Sequence, residues 1–356
     1  MISLRINNII VEAIEGETVL AAATREGYSI PTLCHKEGVA HYTSCMVCMV
    51  KEKGSGNFIP SCSSLVREGM DIDVTGEEVI QLRKKAFELL MSEHRAECEA
   101  PCRVVCPAGY NIPLMNRLLS AGDLENARKL SQKQLNTPEI WCFHCPGYCE
   151  NACRRKKIDI PVSIKNLQVF VSGKSVHDET DPVKPLKEKR RFMSLTGKLD
   201  DSELREWLKE SSESINRHRE INGLQIAGEE ASSCMHCDCR ASVNCSLREI
   251  GDLMEMKDPR GKIVNAPAAK KINSHTNLIF ENAKCIKCGL CVRVCEDKTD
   301  EPALCFINRG FISIISEPLT EGFDDILKSR TAECINVCPT GALSWFKIDP
   351  ADETDF

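Results

Sequence analysis

The chain has 356 residues, a net charge of −6 and 22 cysteines. The acidic balance argues against non-specific nucleic-acid binding, and no apolar run is long enough to span a bilayer. Disulfide scaffolds belong to short secreted chains; this chain is long and its opening, MISLRINNII, has no apolar signal-peptide core, so the reading is a cytoplasmic protein whose clustered thiols stay reduced and bind metal.

The cysteines fall into groups separated by a stretch, 154–233, that has none. The predicted organisation is α+β and multi-domain, each domain built around a metal site. In residues 1–75, ISLRINNIIVEA alternates apolar and polar residues about Asn7-Asn8, a hairpin signal. A short helix is expected over Thr18 to Glu26. Cys34, Cys45, Cys48 and Cys62 follow with the spacing C-x10-C-x2-C-x13-C. Plant-type ferredoxins bind a [2Fe-2S] cluster with three loop cysteines and one distant one. The longer first gap resembles the N-terminal domain of the large iron–sulfur subunit of NADH-quinone oxidoreductases and of iron-only hydrogenases, which implies a β-grasp [2Fe-2S] ferredoxin domain. A four-thiolate zinc site is the alternative. Met46, Val47 and Met49 read as an apolar lid over the site.

Residues 76–172 open with GEEVIQLRKKAFELLMSEH, whose spacing predicts a helix burying Val79, Leu82, Ala86, Leu89 and Leu90 and ending at His94. The segment then carries C-x3-CP, helices expected after Asn111-Ile-Pro and Gly122-Asp123, and CP-x2-C-E-x2-C. This combination resembles the N-terminal iron–sulfur domain of glutamate synthase small subunits and of dihydropyrimidine dehydrogenase, a helical domain with two [4Fe-4S] clusters. The resemblance implies one cluster on Cys106, Cys145, Cys149 and Gln168, the last in P-V-S-I-K-N-L-Q. It implies a second on Cys98, Cys102 and Cys153. There the family has a cysteine where this chain has His94, so His94 is the expected fourth ligand, with Cys142 as its competitor.

Residues 173–197 are polar and charged and read as a linker, its basic run from Lys184 to Arg191 a solvated stretch. Residues 198–262 begin with an amphipathic charged helix, DDSELREWLKESSESINRHREI, and continue into CMHCDCRASVNC. Cys234, Cys237, Cys239 and Cys245 form a small cysteine-knot segment, read as a further [4Fe-4S] site or a structural zinc; His236 between them reads as exposed. Residues 263–356 contain C-x2-C-x2-C-x3-C, the bacterial four-iron run, and then CINVCPTGAL. They resemble the bacterial-ferredoxin-like segment of the same oxidoreductase subunits. That implies a cluster on Cys285, Cys288, Cys291 and Cys338, leaving Cys295, Cys305 and Cys334 as an incomplete second site or as buried thiols.

The chain lacks G-x-G-x-x-G after a strand and a P-loop, and shows no plausible nucleophile–base pair. The expected cofactors are thus one [2Fe-2S] and three to four [4Fe-4S] clusters, with no catalytic residues. The expected role is a multi-cluster electron-transfer subunit relaying electrons between a flavoprotein NAD(P)-binding subunit and a catalytic subunit. Hydrogenase, formate dehydrogenase and bifurcating transhydrogenase are the host complexes the resemblances imply. A stand-alone redox shuttle and a structural zinc or assembly protein are the competing readings.

Overall fold

A computed structural model describes residues 1–94, 98–135, 142, 145–157, 159–173, 217–241, 244–254, 270–273, 277–296, 304–309, 313–316 and 331–345. The expected linker and basic run, and most of the charged helix expected after residue 198, lie outside these. The chain divides into two compact units: Met1–Arg95 with Val243–Ser344, and Ala96–Ser242 with Trp345–Phe356. Among the described residues no helix is long and apolar enough to cross a membrane.

The first unit begins with a five-stranded mixed sheet, order β2-β1-β5-β3-β4. Strands β1 (Ile2–Ile6) and β2 (Ile9–Ala13) form an antiparallel hairpin. Asn7 and Asn8 both adopt positive φ, 48° and 69°, as a two-residue turn matching strand twist requires. Asn7 also ties the turn to the segment after residue 73: its Oδ1 accepts from Val74 N at 2.9 Å. Strand β5 (Asp71–Asp73) runs parallel to β1 and antiparallel to β3 (Met49–Glu52), which pairs with β4 (Phe58–Pro60). Alternation puts Leu4, Ile6, Val11 and Ala13 inside, against Val19, Ala22 and Ala23 of α1 (Val19–Arg25). Each of the larger side chains contributes about 1.5–3 kcal/mol by leaving water. Thr18 caps α1, its hydroxyl accepting from Ala21 N at 3.2 Å.

Helix α2 (Glu77–Glu93) forms where its spacing predicts, but its buried stripe is rotated. Val79, Arg83, Phe87 and Met91 face inward, whereas Leu89 is 68% exposed. The reason is polar: Arg83 Nε donates to Met49 O at 2.8 Å, and that bond turns the i, i+4 row containing Arg83 toward the sheet.

The second unit is helical. Helices α3 (Pro101–Val105), α4 (Ile112–Ser120) and α5 (Leu124–Gln134) come first. Asn111 and Asp123 cap α4 and α5, accepting from Leu114 N and Asn126 N. Further helices follow at Tyr148–Asn151, Ile164–Ser172 and Leu224–Ser232. Helix Leu224–Ser232 lies directly on α4. At Gly228 an added Cβ would sit 3.1 Å from Leu119 O, so the missing side chain sets how closely the two helices approach.

The chain then returns to the first unit. Helix Ser246–Leu253 is followed by strands Lys270–Asn273, Leu278–Glu281 and Leu343–Trp345, joined in one sheet with Leu278–Glu281 at its centre. Helices Leu290–Glu296 and Thr331–Val337 pack together, and Cys305–Ile307 pairs with Ile314–Ser316.

Candidate metal centres

Cys34, Cys45, Cys48 and Cys62 are all buried. Two strands and their loop deliver them: Cys48 immediately precedes β3, and Cys62 follows β4. Cys48 Sγ lies 3.1 Å from Cys62 Sγ. The thiols pair up to share protons. Cys34 is pulled down to about 4 by its hydrogen bond with Cys45, and Cys48 to about 7 by its bond with Cys62. Their partners Cys45 and Cys62 are pushed up in turn, so each pair holds one proton; four soft sulfurs gathered in a dry site suit iron. Ser44 N points at Cys34 Sγ from 3.4 Å. Of the lid expected from Met46, Val47 and Met49, Val47 is buried and Met49 half-buried, but Met46 is 43% exposed with φ 56°.

In the second unit, Cys106, Cys145, Cys149 and Gln168 line a cavity of about 540 Å³. Its other walls include Pro107, Tyr110, Leu135 and Ile164. Glu150, the acidic residue between Cys149 and Cys153, accepts from Lys165 N at 2.8 Å, and Lys165 Nζ donates to Cys145 O at 2.6 Å. These bonds fix helix Ile164–Ser172 so that Gln168 faces the thiols. Gln168 is fully buried; its Nε2 donates to Ser131 Oγ, and its Oε1 has no hydrogen-bond partner among the described residues. A buried carbonyl oxygen left over in a thiol-lined cavity fits an iron ligand. Cys142 lines this cavity too, and burial pushes its thiol up. The structure therefore places Cys142 beside Cys106, Cys145 and Cys149.

A second, smaller cavity of this unit brings Cys102 and Cys153 together, and Cys234 and Cys237 line it with them. Cys98 is buried, and its carbonyl accepts from Cys239 N at 3.1 Å.

In the first unit, Cys285, Cys288, Cys291 and Cys338 line one cavity. Lys287, at φ 55°, turns its amide onto Cys285 Sγ at 3.3 Å. Burial pushes the Cys288 thiol up to about 12. Cys334 is fully buried and donates to Cys291 O at 3.6 Å. Cys305 is half-buried on its strand, and the side chain of Cys295 lies outside the described residues. Cys245 Sγ lies 3.8 Å from Pro339 O. His94, also of this unit, is buried, and Lys284 O lies 2.8 Å from its Nδ1. A carbonyl only accepts, so Nδ1 carries the proton and Nε2 the lone pair. Burial holds this imidazole neutral, its pKa pushed down to about 4. That is the tautomer and charge state of a metal-binding histidine oriented by a backbone carbonyl.

One residue was not singled out by spacing. Arg293 Nη1 donates to Cys288 O and its Nη2 to Cys34 O, both at 2.9 Å. Its guanidinium also lies over the Tyr42 ring, 5.5 Å from the centroid. Gly289, at φ +74°, leaves the room: a Cβ there would meet Arg293 Nη1 at 3.0 Å.

Comparison with known proteins agrees with this layout. Residues 1–76 match the 2Fe-2S iron-sulfur cluster binding domain, and residues 78–180 match dihydropyrimidine dehydrogenase domain II, 4Fe-4S cluster. The alpha chain of the NADPH-Fe(3+) oxidoreductase of Geobacter sulfurreducens is 30% identical over 34% of this chain and 14% of its own length. The HndD component of the NADP-reducing hydrogenase of Solidesulfovibrio fructosivorans is 33% identical over 28% of this chain and 18% of its own. An NADH-quinone oxidoreductase subunit of Rickettsia felis is 29% identical over 41% of this chain and 22% of its own. The aligned part thus spans less than a quarter of each of these relatives. A crystal structure of NAD+-reducing [NiFe]-hydrogenase shares the fold, with a TM-score of 0.50 at 16% identity, covering 97% of this chain and 87% of that one. The chain thus carries a segment that matches a 2Fe-2S cluster-binding domain followed by one that matches a 4Fe-4S domain of the dihydropyrimidine dehydrogenase type, and over part of its length it is similar to hydrogenase and NADH-quinone oxidoreductase subunits.

Proposed function

We propose that the chain is the electron-conducting subunit of an NAD(P)-linked oxidoreductase complex of an anaerobe. It would pass single electrons between a flavoprotein NAD(P)-binding subunit and a catalytic subunit of hydrogenase, formate dehydrogenase or bifurcating transhydrogenase type. The cofactors would be one [2Fe-2S] and three to four [4Fe-4S] clusters, which supply one-electron transfer when bound. The chain's own residues hold the irons through thiolates, keep water out with apolar walls, and aim peptide N–H groups at sulfur.

The observation that carries this reading is Arg293. One guanidinium holds the backbone of Cys34 and of Cys288, ligands expected for two different clusters. A fixed hydrogen-bonded link between two redox sites suits a wire.

Anaerobic reduction of the purified chain tests the proposal. NAD(P)H should reduce it only when the flavoprotein partner is added, and the partner should co-purify with it. NADH-dependent viologen reduction by the isolated, flavin-free chain would overturn the subunit reading.

A further inference from the structure

We infer that Cys102, Cys153, Cys234 and Cys237 together ligate one [4Fe-4S] cluster, so that this helical domain is completed by two thiolates from far downstream. The ligand set expected from the family resemblance took its remaining members from the start of the domain. The match to dihydropyrimidine dehydrogenase domain II ends at residue 180, well before Cys234.

Three independent observations carry the assignment. The first is convergence: Cys102, Cys153, Cys234 and Cys237, from segments far apart in the sequence, line one cavity. The second is the local turn. His236 takes φ 46° and directs its amide onto Cys234 Sγ at 3.5 Å, just as Lys287 takes φ 55° and directs its amide onto Cys285 Sγ at 3.3 Å. Cys234-Met235-His236-Cys237 therefore repeats the fold of the C-x2-C that opens the bacterial four-iron run. N–H donors to sulfur are among the means by which a protein sets a cluster's potential.

The third is a built scaffold. Gly228 seats helix Leu224–Ser232 against Leu119 O. Arg155 Nη1 grips the end of that helix through Ser233 O at 2.9 Å. Arg117 and Asp238, both nearly buried, pair at 3.0 Å and pin the loop to α4. Arg154, itself buried, lines the same cavity. A cation there offsets the charge that four thiolates bring.

The test uses the full chain purified without oxygen. Cys234→Ser and Cys237→Ser should each lose roughly four iron atoms and one [4Fe-4S] signal by Mössbauer and electron paramagnetic resonance, with the [2Fe-2S] signal retained. Alkylation mapping of the wild-type protein supplies a readout that no folding defect can mimic. Cys102, Cys153, Cys234 and Cys237 should be protected together in the holoprotein and become reactive together when the clusters are stripped. Zinc at one atom per chain that disappears in Cys234→Ser would overturn the assignment. So would labelling of Cys234 and Cys237 while Cys102 and Cys153 stay protected. Both outcomes are read from metal content and labelling, so they stand apart from any failure of the relay proposal.

Discussion

Arg293 Nη2 donates to the main-chain carbonyl of Cys34 at 2.9 Å, joining positions that lie at opposite ends of the sequence. The guanidinium adds a positive charge beside the backbone of two ligand loops. Arg293→Gln should keep the iron content and lower the potential of the [2Fe-2S] site by tens of millivolts, on the order expected for one charge removed at an effective dielectric near 20. Redox titration followed by electron paramagnetic resonance measures this. An unchanged potential would show that the arginine only braces the loops.

Gln168 should be the oxygen ligand of the cavity lined by Cys106, Cys145 and Cys149. Its unpartnered Oε1 motivates the expectation. Gln168→Leu should alter or abolish one [4Fe-4S] signal, whereas Cys142→Ser should leave all of them in place. The reverse pattern would transfer the ligand role to Cys142.

His94 presents Nε2 as its lone-pair nitrogen while Lys284 O holds Nδ1–H. A neutral imidazole in place of a thiolate raises a cluster's potential. His94→Cys should therefore retain iron and lower one cluster's potential, and His94→Ala should lose or change that cluster's signal. Spectra and potentials identical to wild type in both variants would remove His94 from the ligands.

Glu230 is buried and accepts from Arg217, from Ser163 N at 2.9 Å and from His218 N at 2.7 Å. Burial opposes its charge, but these donors win and hold its carboxyl below the usual 4.5. Glu230→Ala should cost ~2 kcal/mol, because it leaves the amides of Ser163 and His218 without their acceptor and takes one carboxylate from Arg217, which keeps Asp159 and two backbone carbonyls. The stabilisation is present in full above about 4.5 and fades as pH falls through the lowered value. Chemical denaturation of wild type and Glu230→Gln at descending pH should show their difference shrinking over that range.

Gly228→Ala sets a helix-propensity gain of about 1 kcal/mol against the 3.1 Å approach to Leu119 O, so it should be close to neutral. Gly228→Val adds branching at the same spot and should destabilise by ~1–3 kcal/mol. Thermal unfolding and iron content check both, and an iron-replete, fully stable valine variant would show that helix contact to be dispensable.

Local signals in the sequence carried well where the chemistry is local. Asn7-Asn8 marked the hairpin, Thr18 the start of α1, and Asn111 and Asp123 the starts of α4 and α5. The resemblance to bacterial ferredoxins implied that Cys338 joins Cys285, Cys288 and Cys291, and these four line one cavity. Tertiary effects were not legible. The stripe of α2 is rotated by one hydrogen bond, Arg83 to Met49 O, that no periodicity encodes. The neighbours of Cys234 and Cys237 depend on Gly228, Arg155 and the Arg117–Asp238 pair, contacts between helices distant in sequence. Arg293 carried no motif at all; its meaning lies in which carbonyls it reaches.

The first unit is interrupted: its chain leaves at Arg95 and resumes at Val243. During synthesis the ribosome must therefore emit every thiol of the second unit before Cys285, Cys288, Cys291 and Cys338 exist. Domains generally fold as units in the order they emerge. Metal loading then has an order written into the polypeptide: the N-terminal ferredoxin sheet has all four of its thiols by residue 62, the thiols of the helical unit follow, and the four-iron run gains its last one only at residue 338. A truncated or stalled product would carry iron in its early sites and bare sulfur in the late one.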